Sequence, residues 1–417
     1  MDGSQDDAAA PAGPLAGVRV LDLSRILAGP TCTQLMGDLG ADVIKVEKPG
    51  AGDDTRKWGP PYLQDADGND TAESAYYLSS NRNKRSIAVD LAAPAGQALV
   101  RRLAERADVL IENFKVGALA AYGLSYADLR DAFPRLVYCS ITGFGQYGPY
   151  AGRPGYDLLA QAMGGIMSVT GQPDGPPTKV GVGIADVMTG MYATIAILAA
   201  LRHRDRTGQG QHIDVALLDC QIAWLINEGT NYLVSGINPQ RRGNEHPNIV
   251  PYSVFEAADG HVILAVGNDA QFQRWCGFAG AADLAADPRF ATNADRVRNR
   301  TALYAAMPAY MAAKTRDQWI DGLAAAGVPC SPVNTIADVF ADPNTAARGM
   351  RIAMPHPQAG GDGTAPLIGN PLKLSATPVA YRRPPPTLGQ HSDEVLGDWL
   401  DADADAIDRL RRDGALG

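Results

Sequence analysis

Between Gly17 and Ala216, short β-branched runs alternate with stretches of helical periodicity, an order that few architectures accommodate. Val18-Arg-Val-Leu-Asp-Leu23 and Asp42-Val-Ile-Lys-Val-Glu47 read as strands flanking a helix over 31–39. Further strands are Asp108-Val-Leu-Ile-Glu112, Leu136-Val-Tyr-Cys-Ser-Ile-Thr142 and Gln211-His-Ile-Asp-Val-Ala216, and Pro94 opens a helix over 95–104. Apolar strands spaced by helices bury themselves in a parallel sheet covered on both faces, so the fold class is α/β, doubly wound and Rossmann-like. The first turn, Ser24-Arg-Ile-Leu-Ala-Gly-Pro30, lacks GxGxxG, and the chain has no GxxxxGK[ST]. Hydride transfer and P-loop chemistry are therefore disfavoured.

With 417 residues, 46% of them apolar, the chain has material for two domains. Residues 1–14, acidic and small, are expected to form a disordered tail, without the cationic start and apolar core of a signal peptide. Residues 15–224 are expected to form the large domain, 225–335 a smaller α+β domain, and 336–417 a segment returning to the large one. In the smaller domain, 252–266 reads as a hairpin turning at Asp259-Gly260, and Thr315-Arg-Asp-Gln318 as a capping box.

A formal charge of −9 argues against a nucleic-acid partner while leaving room for a local basic pocket. Five scattered cysteines without a CxxC pair, and six histidines, disfavour a zinc site and a disulfide framework and suit a reducing cytoplasm. The most apolar run, 187–201, is broken by Thr189, Gly190, Tyr192 and Thr194 and is shorter than the roughly 20 residues of a membrane span. It reads as a buried helix, and no membrane partner is expected.

Asp186 opens that helix, where free backbone N–H groups and the helix dipole favour an anion. Two readings stay open: a helix cap, or an ionised, partly dry carboxylate able to attack an activated acyl group. Gly164-Gly165 and Gly171 suit either ordinary turns or close backbone approach to an oxyanion. Asn81-Arg-Asn-Lys-Arg85, with Lys45, Lys48, Arg56 and Lys57, is either a phosphate site or a solvated basic face. Among the histidines, only His246 has a loop setting suited to meeting a substrate, and no Ser–His–Asp or Cys–His arrangement follows from spacing.

Several motifs occur in one order along nearly the whole chain: Leu15-Ala-Gly-Val-Arg-Val-Leu-Asp-Leu23, Ala28-Gly-Pro30, Gly40-Ala-Asp-Val-Ile-Lys-Val-Glu47, Asn83-Lys-Arg-Ser86, Glu112-Asn-Phe114, Thr207-Gly-Gln-Gly-Gln211 and Leu388-Gly-Gln-His-Ser-Asp-Glu-Val-Leu396. In these it resembles the class III coenzyme A transferases, the CaiB/BaiF family that includes formyl-CoA transferase. Gly52-Asp-Asp-Thr-Arg56, Trp58-Gly-Pro-Pro61, Tyr138-Cys-Ser-Ile-Thr-Gly143 and Asn248-Ile-Val-Pro-Tyr252 are similar to the branch acting on succinate and hydroxymethylglutarate.

The resemblance implies CoA transfer from succinyl-CoA to a small dicarboxylic acid, through a mixed anhydride and an aspartyl-CoA thioester on Asp186. It implies CoA contacts at Leu27, Ala28, Lys48, Val89, Leu91, Asn113 and Phe114, with Tyr156 and Asp157 near the acyl end. It further implies an interlocked homodimer, no metal and no cofactor, the CoA thioester being a substrate. Two departures stand out: Leu27 replaces a glutamine of formyl-CoA transferase, and Ala121 replaces a basic phosphate contact, leaving Arg25 or Arg153 for that role. The α-methylacyl-CoA racemases, the alternative enzyme reading, pair the aspartate with a histidine where this chain has Tyr156, whose ordinary pKa near 10 makes it a poor base. A catalytically silent CoA-binding protein is the remaining alternative.

Overall fold

The computed structural model describes residues 13–417. Its central sheet is built from β1 (Arg19–Asp22), β2 (Asp42–Glu47), β3 (Lys84–Ala88), β4 (Val109–Glu112), β5 (Val137–Thr142) and β6 (His212–Ala216). All neighbours pair in parallel, in the order β3-β2-β1-β4-β5-β6. Successive side chains enter opposite cores: Val20, Val43, Val109 and Ile111 face one, Leu21, Ile44 and Leu110 the other. Such two-sided burial is what a nearly unbroken apolar strand requires.

Helix α1 (Ala28–Asp38) covers one face of the sheet, and α2 (Pro94–Arg106) covers the other. Past β5 come α3 (Asp157–Met163), α4 (Ile184–Thr207) and, after β6, α5 (Leu217–Ala223). The 24 residues of α4 outrun the expected 187–201 segment, and by length and apolarity the helix is long enough to cross a membrane. Half of its apolar window is nevertheless buried within the protein. Small residues let it lie close to α1: a Cβ on Gly190 would sit 2.6 Å from the Ala28 carbonyl oxygen and 3.0 Å from Thr31 Cβ.

The described residues divide into two compact units, one comprising those up to Gly164 with Gly181–Trp224 and Pro343–Gly417, the other Gly165–Val180 and Leu225–Asp342. Two boundaries differ from the sequence expectation: 165–180 leave the large domain for the second unit, and the return begins at Pro343. Periodicity could not show either, because a loop excursion carries no pattern of its own. In the second unit, β7 (Tyr252–Ala257) and β8 (Gly260–Ala265) form the hairpin, β9 (Cys330–Pro332) joins β8, and Thr315 and Gln318 close the capping box. The expected tail falls largely on 1–12, outside the described residues. Gly13 already belongs to a turn, accepting from the Ala16 N–H at 2.9 Å.

The returning segment is held by the 81–85 run, for which neither reading, phosphate site or solvated face, survives, whereas Lys48 and Lys57 are exposed. Arg82, Asn83, Lys84 and Arg85 are all buried. Arg82 forks onto Asp38 at 2.9 and 2.6 Å and reaches the Ile368 carbonyl, while Arg85 pairs with Asp42 and, in the returning helix Ser392–Leu400, with Asp398 and Glu394. Asn83 Oδ1 accepts from the Arg382 and Arg383 N–H groups. Spacing shows that charges cluster; it does not show that acids 40 to 300 residues away will meet them.

Gly190→Ala is expected to destabilise the protein by about 1–3 kcal/mol in urea unfolding, even though alanine is the better helix former, because its methyl group meets the backbone of α1.

Candidate active site

Strand order reverses between β1 and β4, and the loops after β1, β4 and β5 diverge there, leaving the crevice in which doubly wound folds hold ligands. A cavity of about 330 Å³ occupies it, walled by Arg25–Ala28, Asn113–Val116, 151–156 and, from α4, Asp186.

Asp186 sits in the first turn of α4, but the cap of that helix is Gly183. The free N–H groups belong to a different acid. Asp157, opening α3, accepts from the Ala185 N–H at 2.8 Å and the Asp186 N–H at 3.4 Å, while its other oxygen accepts from Gln161 at 2.7 Å. Among the described residues nothing hydrogen-bonds the Asp186 carboxylate. Burial, then the Asp157 carboxylate beside it, push Asp186 up to about 7. The expectation that it stays fully ionised at neutral pH is thereby corrected: the donors that would have stabilised the anion are already taken. Tyr76 lies in the same field; burial, then Asp186, Asp157 and Asp53, raise its phenol to about 12, so it remains a donor. The edge of Trp58 packs against it, ring centroids 5.1 Å apart.

Of the residues implied by resemblance, the cavity brings together Leu27, Ala28, Asn113, Phe114, Arg153, Tyr156 and Asp186. Asn113 acts on backbone: its Oδ1 accepts from the Arg25 N–H at 2.9 Å and its Nδ2 donates to the Arg25 carbonyl at 2.7 Å. Lys48, Val89, Leu91 and Asp157 do not line it. Lys48 is exposed just past β2, Val89 is a core residue bridged to Leu416, and Leu91 packs on the same core. Asp157 serves the helix that carries Asp186. His246 is also absent, its Nδ1 accepting from the Asn248 and Ile249 N–H groups at 3.1 Å. Gly165 and Gly171 fall in the second unit with left-handed φ of 85° and 114°, as turn glycines.

Sequence reasoning missed Lys115, Asp54 and Thr142 in the wall. Arg25 pairs there with Asp54 at 2.7 Å, and Arg153 lies over Tyr150 at 4.0 Å. The position of Lys115 just past the carboxyl end of β4, and of Thr142 at that of β5, was the available signal. Titration of the Asp186 carboxyl by carbon NMR should show a midpoint near 7. Asp157→Asn, which removes the neighbouring charge while keeping an acceptor oxygen, should move it down by roughly one pH unit.

Residues 15–392 match the model of CoA-transferase family III. The chain is 51% identical over 386 residues to the succinate–glutarate CoA-transferase of Agrobacterium fabrum, covering 92% of this chain and 95% of that one. It is 42% identical to the succinyl-CoA:glutarate CoA-transferase of Mus musculus, covering 97% and 90%. Among solved structures, a CaiB/BaiF family protein from Brucella suis superposes with a TM-score of 0.81 at 49% identity, covering 93% of this chain and all of that one. A parallel doubly wound sheet, an aspartate at its switch-point cavity and this sequence likeness agree: the chain belongs to CoA-transferase family III.

Proposed function

We propose that this enzyme moves CoA from succinyl-CoA to a small dicarboxylic acid of the glutarate class. The observation that carries the reading is Asp186, half-buried, without a hydrogen bond among the described residues, and facing the switch-point cavity. In its ionised form it attacks the thioester carbonyl; the C–S bond breaks, CoA leaves as thiolate, and a mixed anhydride of Asp186 with the donor acid forms. The thiolate attacks the aspartyl carbonyl and expels the donor carboxylate, leaving an aspartyl-CoA thioester. The acceptor carboxylate then displaces the thiolate, forming a second anhydride, and the thiolate returns to the acceptor carbonyl, restoring Asp186. In the first anhydride a carboxylate raised to about 7 is the more basic partner, so the donor acid is the better leaving group and the aspartyl-CoA thioester is the favoured outcome. Each exchange conserves an activated acyl bond, which requires neither metal nor added cofactor.

Arg25, Lys115 and Arg153 are the cations of the wall and would hold the CoA phosphates. The racemase alternative needs a second base, and no histidine is among the residues lining the cavity. Exposed apolar side chains support a homodimer of the interlocked kind: Met191, Tyr192 and Ile195 along α4 in one unit, and Leu233, Val234 and Ile237 in the other. Five unpaired cysteines, four of them buried, suit a cytoplasmic location.

Asp186→Ala should abolish transfer, by at least about 10³-fold, while leaving acyl-CoA binding within a few-fold. Hydroxylamine added during turnover should leave a hydroxamate on Asp186, and turnover by the Ala variant near the wild-type rate would overturn the reading. Because only the anion attacks, kcat/KM should fall as pH drops below about 7 and level off above it. Sedimentation should show a dimer, weakened by Ile195→Glu.

A further inference from the structure

Two buried charges stand behind the cavity without reaching it. Lys45, in β2, and Asp53 form an ion pair at 2.8 Å with both side chains fully buried. Replacing a buried pair by apolar groups is often neutral or stabilising, so this one is a poor explanation of stability alone. Its contacts show another use. Lys45 Nζ donates to the Ser24 carbonyl at 3.0 Å, and both Asp53 oxygens accept from the Ile26 N–H at 3.2 Å.

Between those two groups lies a strained turn. Ile26 has a φ of 73°, a left-handed conformation in which a β-branched side chain is a genuine outlier. Such strain persists only where the surroundings over-determine it, and here they do. The Ser24 N–H donates to Asp22, Arg25 is gripped at both its N–H and its carbonyl by Asn113, and the ion pair takes the Ser24 carbonyl and the Ile26 N–H. The turn then delivers Leu27 and Ala28. A Cβ on Gly183, the cap of the nucleophile helix, would lie 3.1 Å from Leu27 Cδ2, so the Leu27 side chain rests against the start of α4.

We propose that Lys45 and Asp53 are positioning residues for CoA transfer: they hold Ile26 left-handed and so set Leu27 and Ala28 against the helix that carries Asp186. The proposal rests on Asp186 being the nucleophile. An error of about 1 Å in such a wall can slow a reaction by on the order of 10²-fold without removing any reacting group. Asp53 also caps the following 3-10 turn, Asp54–Lys57, through the Thr55 N–H at 3.0 Å. That contact uses Oδ1, whereas Lys45 is bound by Oδ2. Asp53→Asn with its oxygen at Oδ1 keeps the cap and one of the two contacts to the Ile26 N–H, while at Oδ2 it turns a donor toward Lys45 and Ile26, breaking the ion pair and loosening the turn.

The test is steady-state kinetics with succinyl-CoA and glutarate on the full chain, with thermal melts and hydroxylamine trapping alongside. Asp53→Asn should lower kcat by about 10- to 100-fold, with KM for succinyl-CoA moving less than about threefold. Asp53→Asn/Ile26→Gly should regain at least about threefold of kcat, because glycine takes a positive φ without strain. Lys45→Met/Asp53→Asn, which leaves no buried unpaired charge, should repeat the kcat loss if the single variant does not fold. Wild-type-like kcat in a folded variant overturns the proposal, as does a loss that Ile26→Gly fails to relieve. Failure of both charge variants to fold also overturns it, since the pair would then be a folding element. A wild-type enzyme that transfers CoA yet yields no Asp186 adduct removes the mechanism, and the proposal with it.

Discussion

Buried charge in and around β1, β2 and β3 is what the large unit is organised around. Asp22, Lys45, Glu47, Asp53, Arg56 and Lys84 are all buried there, and isolated ions in such a place would be prohibitively costly. They are admissible because each is matched. Arg56 forks onto Glu47 at 2.9 and 2.8 Å, reaches Glu73 at 2.8 Å, and lies 3.7 Å from the centroid of the Tyr77 ring. Lys84 reaches Asp22, Asn81 and the Pro30 carbonyl. Burial still leaves its mark, lowering Lys84 to about 8 and raising Glu73 to about 7. Removing one member would strand its partner, so the set ties the strand ends, the loop over 48–58 and the returning C-terminal segment into one piece.

The crevice beside this set is built on the opposite principle. Asp186 has neither an ion-pair partner nor a hydrogen bond among the described residues, and its neighbour Asp157 bears the same charge. The positive end of α4 is spent on Asp157, which holds the helix in place and raises the carboxyl beside it. Two neighbouring acids thus do different work: one is fixed by donors, and the other is left basic. Close packing of α4 on α1 through Gly190 gives that arrangement a firm base.

Much of the central sheet was legible from residues alone. The strands over 42–47, 108–112 and 136–142 carried their own signal, because two-sided burial demands unbroken apolar runs. The hairpin turn at Asp259 and the box at Thr315 were equally local. Asp186 was visible as an acid opening an apolar helix, but resemblance was needed to choose between cap and nucleophile. The helices Ser392–Leu400 and Ala404–Arg412 were not read within the segment 336–417, and the excursion over 165–180 left no trace in periodicity.

By itself the sequence determined what short-range chemistry dictates: alternating strands and helices, a parallel sheet, the missing phosphate-binding glycines, and an acid in the first turn of a long helix. Tertiary structure alone decided which charges are buried, which acid caps α4, and how basic Asp186 becomes. The reason is range. Backbone propensity and burial periodicity act over a few residues and are written consecutively, whereas desolvation and charge pairing depend on groups such as Asp38 and Arg82, or Arg85 with Asp42 and Asp398, that meet only once the chain has closed.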